Sequence, residues 1–303
     1  MKNIFLVVIF IVLISCNEKQ KKFIYQIQEG SGLLINGPLS LDLGELDSSK
    51  ITLLNGDEVV PFDFDTASNK IWFIHNTERK GDYSIKENAE SSSIAETFSA
   101  VKKDGDLMLE RGNTSLVGYR YGMHYPPKGV DSIFKKSGYI HPIITPKGDT
   151  LTRTNAPDHW HHYGVWGPWT HTRIDTMRVD FWNLGDGQGT VLFKEFNSVS
   201  NGAVSAGFNA AQEHIDYKTQ SEPQVALNEN LQVKMWDLNR DDRYMLDYTS
   251  SFSTPLENGI LFEAYRYGGG LGMRFTERWH KDNCEVLTSE GENRLTADGT
   301  NAK

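Results

Sequence analysis

The chain has 303 residues, of which 38% are hydrophobic, 11% aromatic and 23% charged. This is the composition of a globular protein with one large domain or two modest ones, and it excludes a disordered chain. The 31 basic and 40 acidic residues leave a net charge of −9, the wrong sign for neutralising phosphates, so nucleic acid is excluded as a partner. Two cysteines exclude a disulfide scaffold and a Cys₄ zinc site.

In chain order, the first element is an address. Lys2 is followed by eleven apolar residues, 4–14, and then Ser15-Cys16. The run is too short to span a bilayer but suits the core of a signal peptide. Leu13-Ile14-Ser15-Cys16 resembles a bacterial lipobox, which predicts a signal peptide over 1–15 and a lipid on Cys16. Residues 16–22 are then a polar tether. Export follows, with the protein anchored at the periplasmic or outer-membrane surface. The membrane contact is through the lipid only.

Residues 23–95 read as a small β-rich domain. Leu39-Ser40-Leu41-Asp42-Leu43 alternates with period two, and Asn55-Gly56-Asp57 marks a turn between the runs 51–54 and 59–64. Residues 70–75 form another run. The polar stretch 87–96 is a linker or a short helix running on through Ala100.

Residues 96–303 form a larger β domain. Turns fall at Asp104-Gly105, Pro126-Pro127-Lys128-Gly129, Pro146-Lys147-Gly148-Asp149, Asp186-Gly187 and Asn258-Gly259. Apolar runs separate them at 138–145, 176–182, 190–196, 230–237, 244–253 and 260–267. Stretches of helical period are missing. The pattern predicts an all-β fold, an antiparallel β-sandwich preceded by the small N-terminal domain.

The chemistry concentrates in Pro157-Asp158-His159-Trp160-His161-His162-Tyr163-Gly164. In an extended strand His159 and His161 share one face, and Asp158, Trp160 and His162 the other. Histidines at i and i+2 could ligate a divalent metal with a third ligand from elsewhere. Histidines beside an aspartate could instead supply an oriented acid or base, because imidazole titrates near neutrality and a carboxylate fixes its tautomer. Trp160, Trp166 and Trp169 offer faces on which sugar rings stack. Trp182 reads as core. His75, His124, His214 and His280 stand alone and read as structural or solvated. Glu195, Glu263 and Arg266 are further candidates. The last two lie beside Gly268-Gly269-Gly270, which is not a phosphate loop because no Gly-Lys-Ser/Thr ending follows.

These strings resemble a known family. Residues 138–152, the Asp158-His159-x-His161-His162-x-Gly164 element, Val179-Asp180-Phe181-Trp182, Tyr267-Gly268-Gly269, Leu287-Thr288-Ser289-Glu290-Gly291 and Asp298-Gly299-Thr300 are similar to the bacterial "methane oxygenase PmoA" family of domain-of-unknown-function proteins. The family usually has Pro and Arg where this chain has Trp160 and Tyr163. The resemblance implies a supersandwich-like carbohydrate-handling fold and an exported lipoprotein of polysaccharide-utilising Bacteroidetes. It also implies a chain that stops short of the family's last strands.

The resulting expectation is an exported lipoprotein that processes an oligosaccharide or polysaccharide as a hydrolase, lyase or dehydratase. His159, His161 or His162 would act as acid or base, with Asp158 orienting. His141, Glu195, Glu263 and Arg266 would bind hydroxyls or a uronate carboxylate, beside the Trp160, Trp166 and Trp169 platform. The alternatives are a non-catalytic glycan-binding lipoprotein and a metal-dependent oxidoreductase built on His159 and His161.

Overall fold

A computed structural model describes residues 20–24, 36–79, 81–87, 95–265, 269–279, 282–285 and 291. The protein is all-β: strands make up 54% of the described residues, and no α-helix occurs among them. No helix there is long and apolar enough to cross a membrane. The signal segment and Cys16 lie outside the described residues.

The chain divides into two compact units. The first is Met1–Ser99 with Ser200–Gly207 and Lys234–Asp247; the second is Ala100–Val199, Phe208–Val233 and Tyr248–Lys303. Sequence patterning places a boundary at 95/96 and gives no sign that two later segments group with the N-terminal unit, whose first segment ends at Ser99.

The first unit carries β1 (Gln20–Ile24), β2 (Gly37–Asp42), β3 (Ile51–Asn55), β4 (Glu58–Val59), β5 (Phe62–Asp65), β6 (Lys70–His75) and β7 (Asp82–Glu87). They form two sheets, ordered β1-β7-β3-β4 and β2-β6-β5. Leu41, Ile51, Leu53, Ile71, Phe73, Tyr83 and Ile85 are buried between them, in the inward phase of the period-two pattern. Asp63 secures the 200–207 segment by accepting the backbone N–H of Ala203 at 2.6 Å and of Val204 at 3.2 Å. His75 shares a 2.7 Å hydrogen bond with Tyr83, the structural role expected of it.

The remaining strands are β8 (Phe98–Lys103), β9 (Asp106–Arg111), β10 (Thr114–Arg120), β11 (Tyr139–Ile143), β12 (Thr154–Ala156), β13 (His159–Tyr163), β14 (Val165–Trp166), β15 (Thr172–Ile174) and β16 (Met177–Val179). β17 (Gly189–Ser200), β18 (Ser205–Asp216), β19 (Gln224–Asp237), β20 (Tyr244–Ser253), β21 (Leu261–Phe262) and β22 (Gly272–Met273) follow. No helix runs on through Ala100: residues 98–103 are β8, whose Phe98 and Val101 suit a strand, while 88–94 lie outside the described residues.

A six-stranded sheet runs β22-β14-β11-β10-β9-β8 and a four-stranded sheet runs β17-β18-β19-β20. They meet face to face through an aromatic core. Tyr119 of β10 stacks on Phe208 of β18 with ring centroids 4.4 Å apart, and meets Phe193 and Phe196 of β17 edge-on. This is the sandwich. β18 alternates strictly in its second half, burying Phe208, Ala210, Gln212, His214 and Asp216. Two smaller sheets, β12-β13 and β16-β15-β21, carry the histidines and their neighbours.

Candidate functional site

The site is built on the β12–β13 hairpin. Thr154 pairs with Tyr163 and Ala156 with His159, so Asn155 alone stands opposite Trp160, His161 and His162. The excess residues force a bulge, which breaks the alternation of side chains. Asn155 holds the bulge by taking φ 45° and donating Nδ2–H to the Trp160 carbonyl at 2.7 Å. The consequence corrects the extended-strand expectation. His162 is not on the opposite face: its ring stacks on that of His159 at 4.6 Å with 11° between planes, and His161 lies 4.9 Å from His162 and 5.5 Å from His159.

Gly164 ends the hairpin at φ 53°, and a Cβ there would fall 2.1 Å from the Ile140 carbonyl oxygen. Only glycine lets the chain lie this close to β11. Gly164 also accepts the backbone N–H of Arg274 at 2.7 Å, which delivers that arginine to the histidines. Arg274 Nη2 donates to Asp158 Oδ1 at 2.6 Å and Oδ2 at 2.7 Å, and Nη1 lies 3.3 Å from His162 Nδ1. Asp158 Oδ2 also lies 3.0 Å from His159 Nδ1.

The hydrogen bonds assign the protons. A guanidinium only donates, so His162 Nδ1 accepts and its proton sits on Nε2. A carboxylate only accepts, so His159 Nδ1 carries a proton and Nε2 is the ring nitrogen turned away from Asp158. The Arg274 guanidinium, and then His159, hold the Asp158 carboxyl well below the usual carboxylate range. Burial, then His161, His159 and Arg274, push His162 down to about 3. Burial, then His159, lowers His161. His161 and His162 are therefore uncharged at neutral pH.

Two indoles wall this group. Trp182 stacks on His162 at 5.5 Å and meets His161 edge-on at 5.4 Å, while Trp166 lies 5.3 Å from His162. Trp182 also packs with buried Tyr139, Tyr163, Trp166 and Leu184, so it belongs both to the core and to the site.

The other sequence candidates lie elsewhere. His141, on β11, shares a 3.0 Å hydrogen bond with Thr152 and is pushed down to about 4 by burial, then by Arg120 and His124. Trp160 is half-buried, its carbonyl held by Asn155. Trp169 packs on Phe262 at 4.4 Å and Phe252 at 5.7 Å. Glu195 is exposed on β17. Glu263 is gripped by Arg173 and Arg178 at 2.5 and 2.7 Å, and the arginines lower its pKa. Among the described residues no hydrogen bond, ion pair or ring contact joins Trp169, Glu195 or Glu263 to His159, His161 or His162; the Glu263 N–H donates instead to the His171 carbonyl at 2.8 Å. Arg266 lies outside the described residues. No group of three His, Cys, Asp or Glu side chains is placed to hold a metal ion among the described residues.

A family model matches residues 106–303, its description being a family of unknown function, DUF6807. The chain belongs to this family. The DUF6807 match starts at β9 and takes in Asp158, the three histidines, both indoles and Arg274. It leaves out β1 to β8. No curated protein and no solved structure matches the chain.

Sequence reasoning missed Arg274, which stands 116 residues from its partner Asp158, with no spacing signal to connect them. It also missed a buried polar group of Lys136, Gln212 and Glu229. Here a signal existed. Glu229 sits in phase with Leu227, Leu231 and Val233, at a position that should be apolar.

Proposed function

We propose that this chain is an exported, lipid-anchored enzyme acting on carbohydrate by proton abstraction and elimination, a lyase or dehydratase. The carrying observation is the pair of stacked imidazoles with opposite polarity. As the base, His159 offers Nε2 as an acceptor, oriented through Nδ1 by Asp158. His162 Nε2–H is a donor, fixed by Arg274 at Nδ1. His159 is the base that takes a proton from carbon. His162 donates a hydrogen bond to the oxygen on which charge develops, a role that suits a neutral imidazole. Half-buried Trp182 supplies the face for a sugar ring, whereas Trp166, 4% exposed and packed beside His162, is not the open platform expected of it.

Elimination is favoured over glycoside hydrolysis by the carboxylates. Hydrolysis ordinarily uses two of them, flanking the bond. Asp158 is the one carboxylate bonded to these histidines among the described residues. Asp180, which His161 feels electrostatically, is taken up by the backbone N–H of Trp182 and Asn183 and by the Thr170 hydroxyl. The lipobox-like segment ending in Cys16 and the resemblance to exported glycan-associated proteins support the envelope location and the substrate class.

The test is incubation of the purified chain with a panel of oligosaccharides, read by mass spectrometry. Elimination gives an unsaturated or dehydrated product, with the rate falling about 10²–10⁴-fold in His159→Ala. Products carrying an added water instead identify a hydrolase. Retention of a glycan without any product would identify a binding protein.

A further inference from the structure

Trp166 also borders a second polar site. Trp166 (β14) has its indole 5.3 Å from His162, and it also lines a partly open cavity with Lys136, Gln212, Glu229 and Tyr248. The cavity has room for about one water molecule. Lys136, Gln212, Trp166 and Glu229 are 3%, 3%, 4% and 5% exposed. Such groups are costly to bury without partners.

Two of them have none. Trp166 Nε1 and Gln212 Oε1 are buried without a hydrogen-bond partner among the described residues. One is a donor and the other an acceptor. Glu229 is engaged by His214 Nε2 at 2.8 Å and Ser250 Oγ at 2.5 Å. The Lys136 ammonium lies over the Tyr163 ring, 5.6 Å from its centroid. The lysine and the glutamate balance each other in charge, so the cavity favours a neutral occupant. A group with one donor, one acceptor and the size of a water molecule is a hydroxyl.

We propose that this cavity is a subsite for one hydroxyl-bearing arm of a sugar, the hydroxyl accepting from Trp166 Nε1–H and donating to Gln212 Oε1. The inference rests on the carbohydrate reading above and deepens it. Trp166 is the shared residue: its indole meets His162, and its Nε1–H is an unpaired donor beside the cavity. Gly138 leaves room for the acceptor, since a Cβ there would fall 2.3 Å from Gln212 Oε1.

The experiment reads the indole N–H of Trp166 by ¹H–¹⁵N NMR of the full chain, its resonance identified by loss in Trp166→Phe. The probes are glucose, galactose, mannose and xylose, and any oligosaccharide turned over in the mass-spectrometric assay. The expected result is a saturable shift with at least one sugar. The dissociation constant rises about tenfold in Gln212→Met. Deoxy forms of the same sugar, tested on the unaltered chain, remove the shift at one hydroxyl and not at the others. If no probe moves the resonance, the cavity holds an internal water and the proposal is overturned. Turnover of a glycan that leaves the resonance in place overturns the subsite alone. A shift without turnover keeps the subsite and removes the enzymatic reading.

Discussion

One nitrogen of Arg274, Nη2, lies 2.6 and 2.7 Å from the two carboxylate oxygens of Asp158, while its other terminal nitrogen, Nη1, lies 3.3 Å from His162 Nδ1. A single guanidinium therefore sets both a charge and a tautomer. The ion pair is half-exposed, with side-chain exposures of 25% and 53%, so its worth to stability is small. A double-mutant cycle of Arg274→Met and Asp158→Asn, read by urea unfolding, should give a coupling of about 0.2–1 kcal/mol. The effect on the ring is larger. In Arg274→Met the imidazole ¹⁵N shifts of His162 should lose the signature of a single Nε2–H tautomer. A coupling of several kcal/mol would show that the pair is structural rather than a setting for the histidines.

The histidines predict acid lability. Above its ordinary value of 6.5, His162 is neutral in the folded and unfolded chain alike. Below it the unfolded chain takes up a proton that the folded ring refuses down to about 3. Stability therefore falls as pH drops across that window. His141, pushed down to about 4, acts in the same direction. Asp158, lowered from 3.8, adds its own loss only as pH falls through and below that value. The melting temperature should decline from pH 7 to pH 5, and less steeply in His162→Asn. Equal slopes for the two proteins would remove His162 from the account.

Gly164→Ala should be severe. It puts a β-carbon into the Ile140 carbonyl at a backbone angle that L residues rarely adopt. The strain alone is about 1–3 kcal/mol, and the collision adds to it. Urea unfolding should show a loss of at least about 2 kcal/mol. The His162 ring resonances should shift as well, because Gly164 also receives the Arg274 backbone.

Buried charge gives the fourth expectation. Glu229→Leu strips the partner from His214 and Ser250 and the counter-charge from Lys136, costing about 3–5 kcal/mol. Adding Lys136→Met removes the stranded cation. The double variant should unfold at higher urea than Glu229→Leu alone. The reverse order would mean that Lys136 finds another counter-charge.

The β architecture was legible because its signals are local. The alternation at 39–43, the run at 70–75 and the Asn55-Gly56 turn each report a neighbourhood of a few residues. β18 was not recognised, since its inward positions include Gln212, His214 and Asp216, which hide the apolar phase that Phe208 and Ala210 begin. The histidines were legible as a group of residues but not as a geometry. Their faces follow from a pairing irregularity opposite Asn155, which no side-chain period encodes. Arg274 was invisible for a different reason: its partner is set by the backbone contact at Gly164, not by any spacing along the chain.

The bulge opposite Asn155 makes the site depend on length rather than on composition. Each of the three histidines could survive unchanged while a single deletion between His159 and Tyr163 re-phased the strand and turned a ring away. The hairpin should therefore tolerate exchanges at Trp160 far better than shortening, and a screen of one-residue deletions would map the site more sharply than any alanine scan.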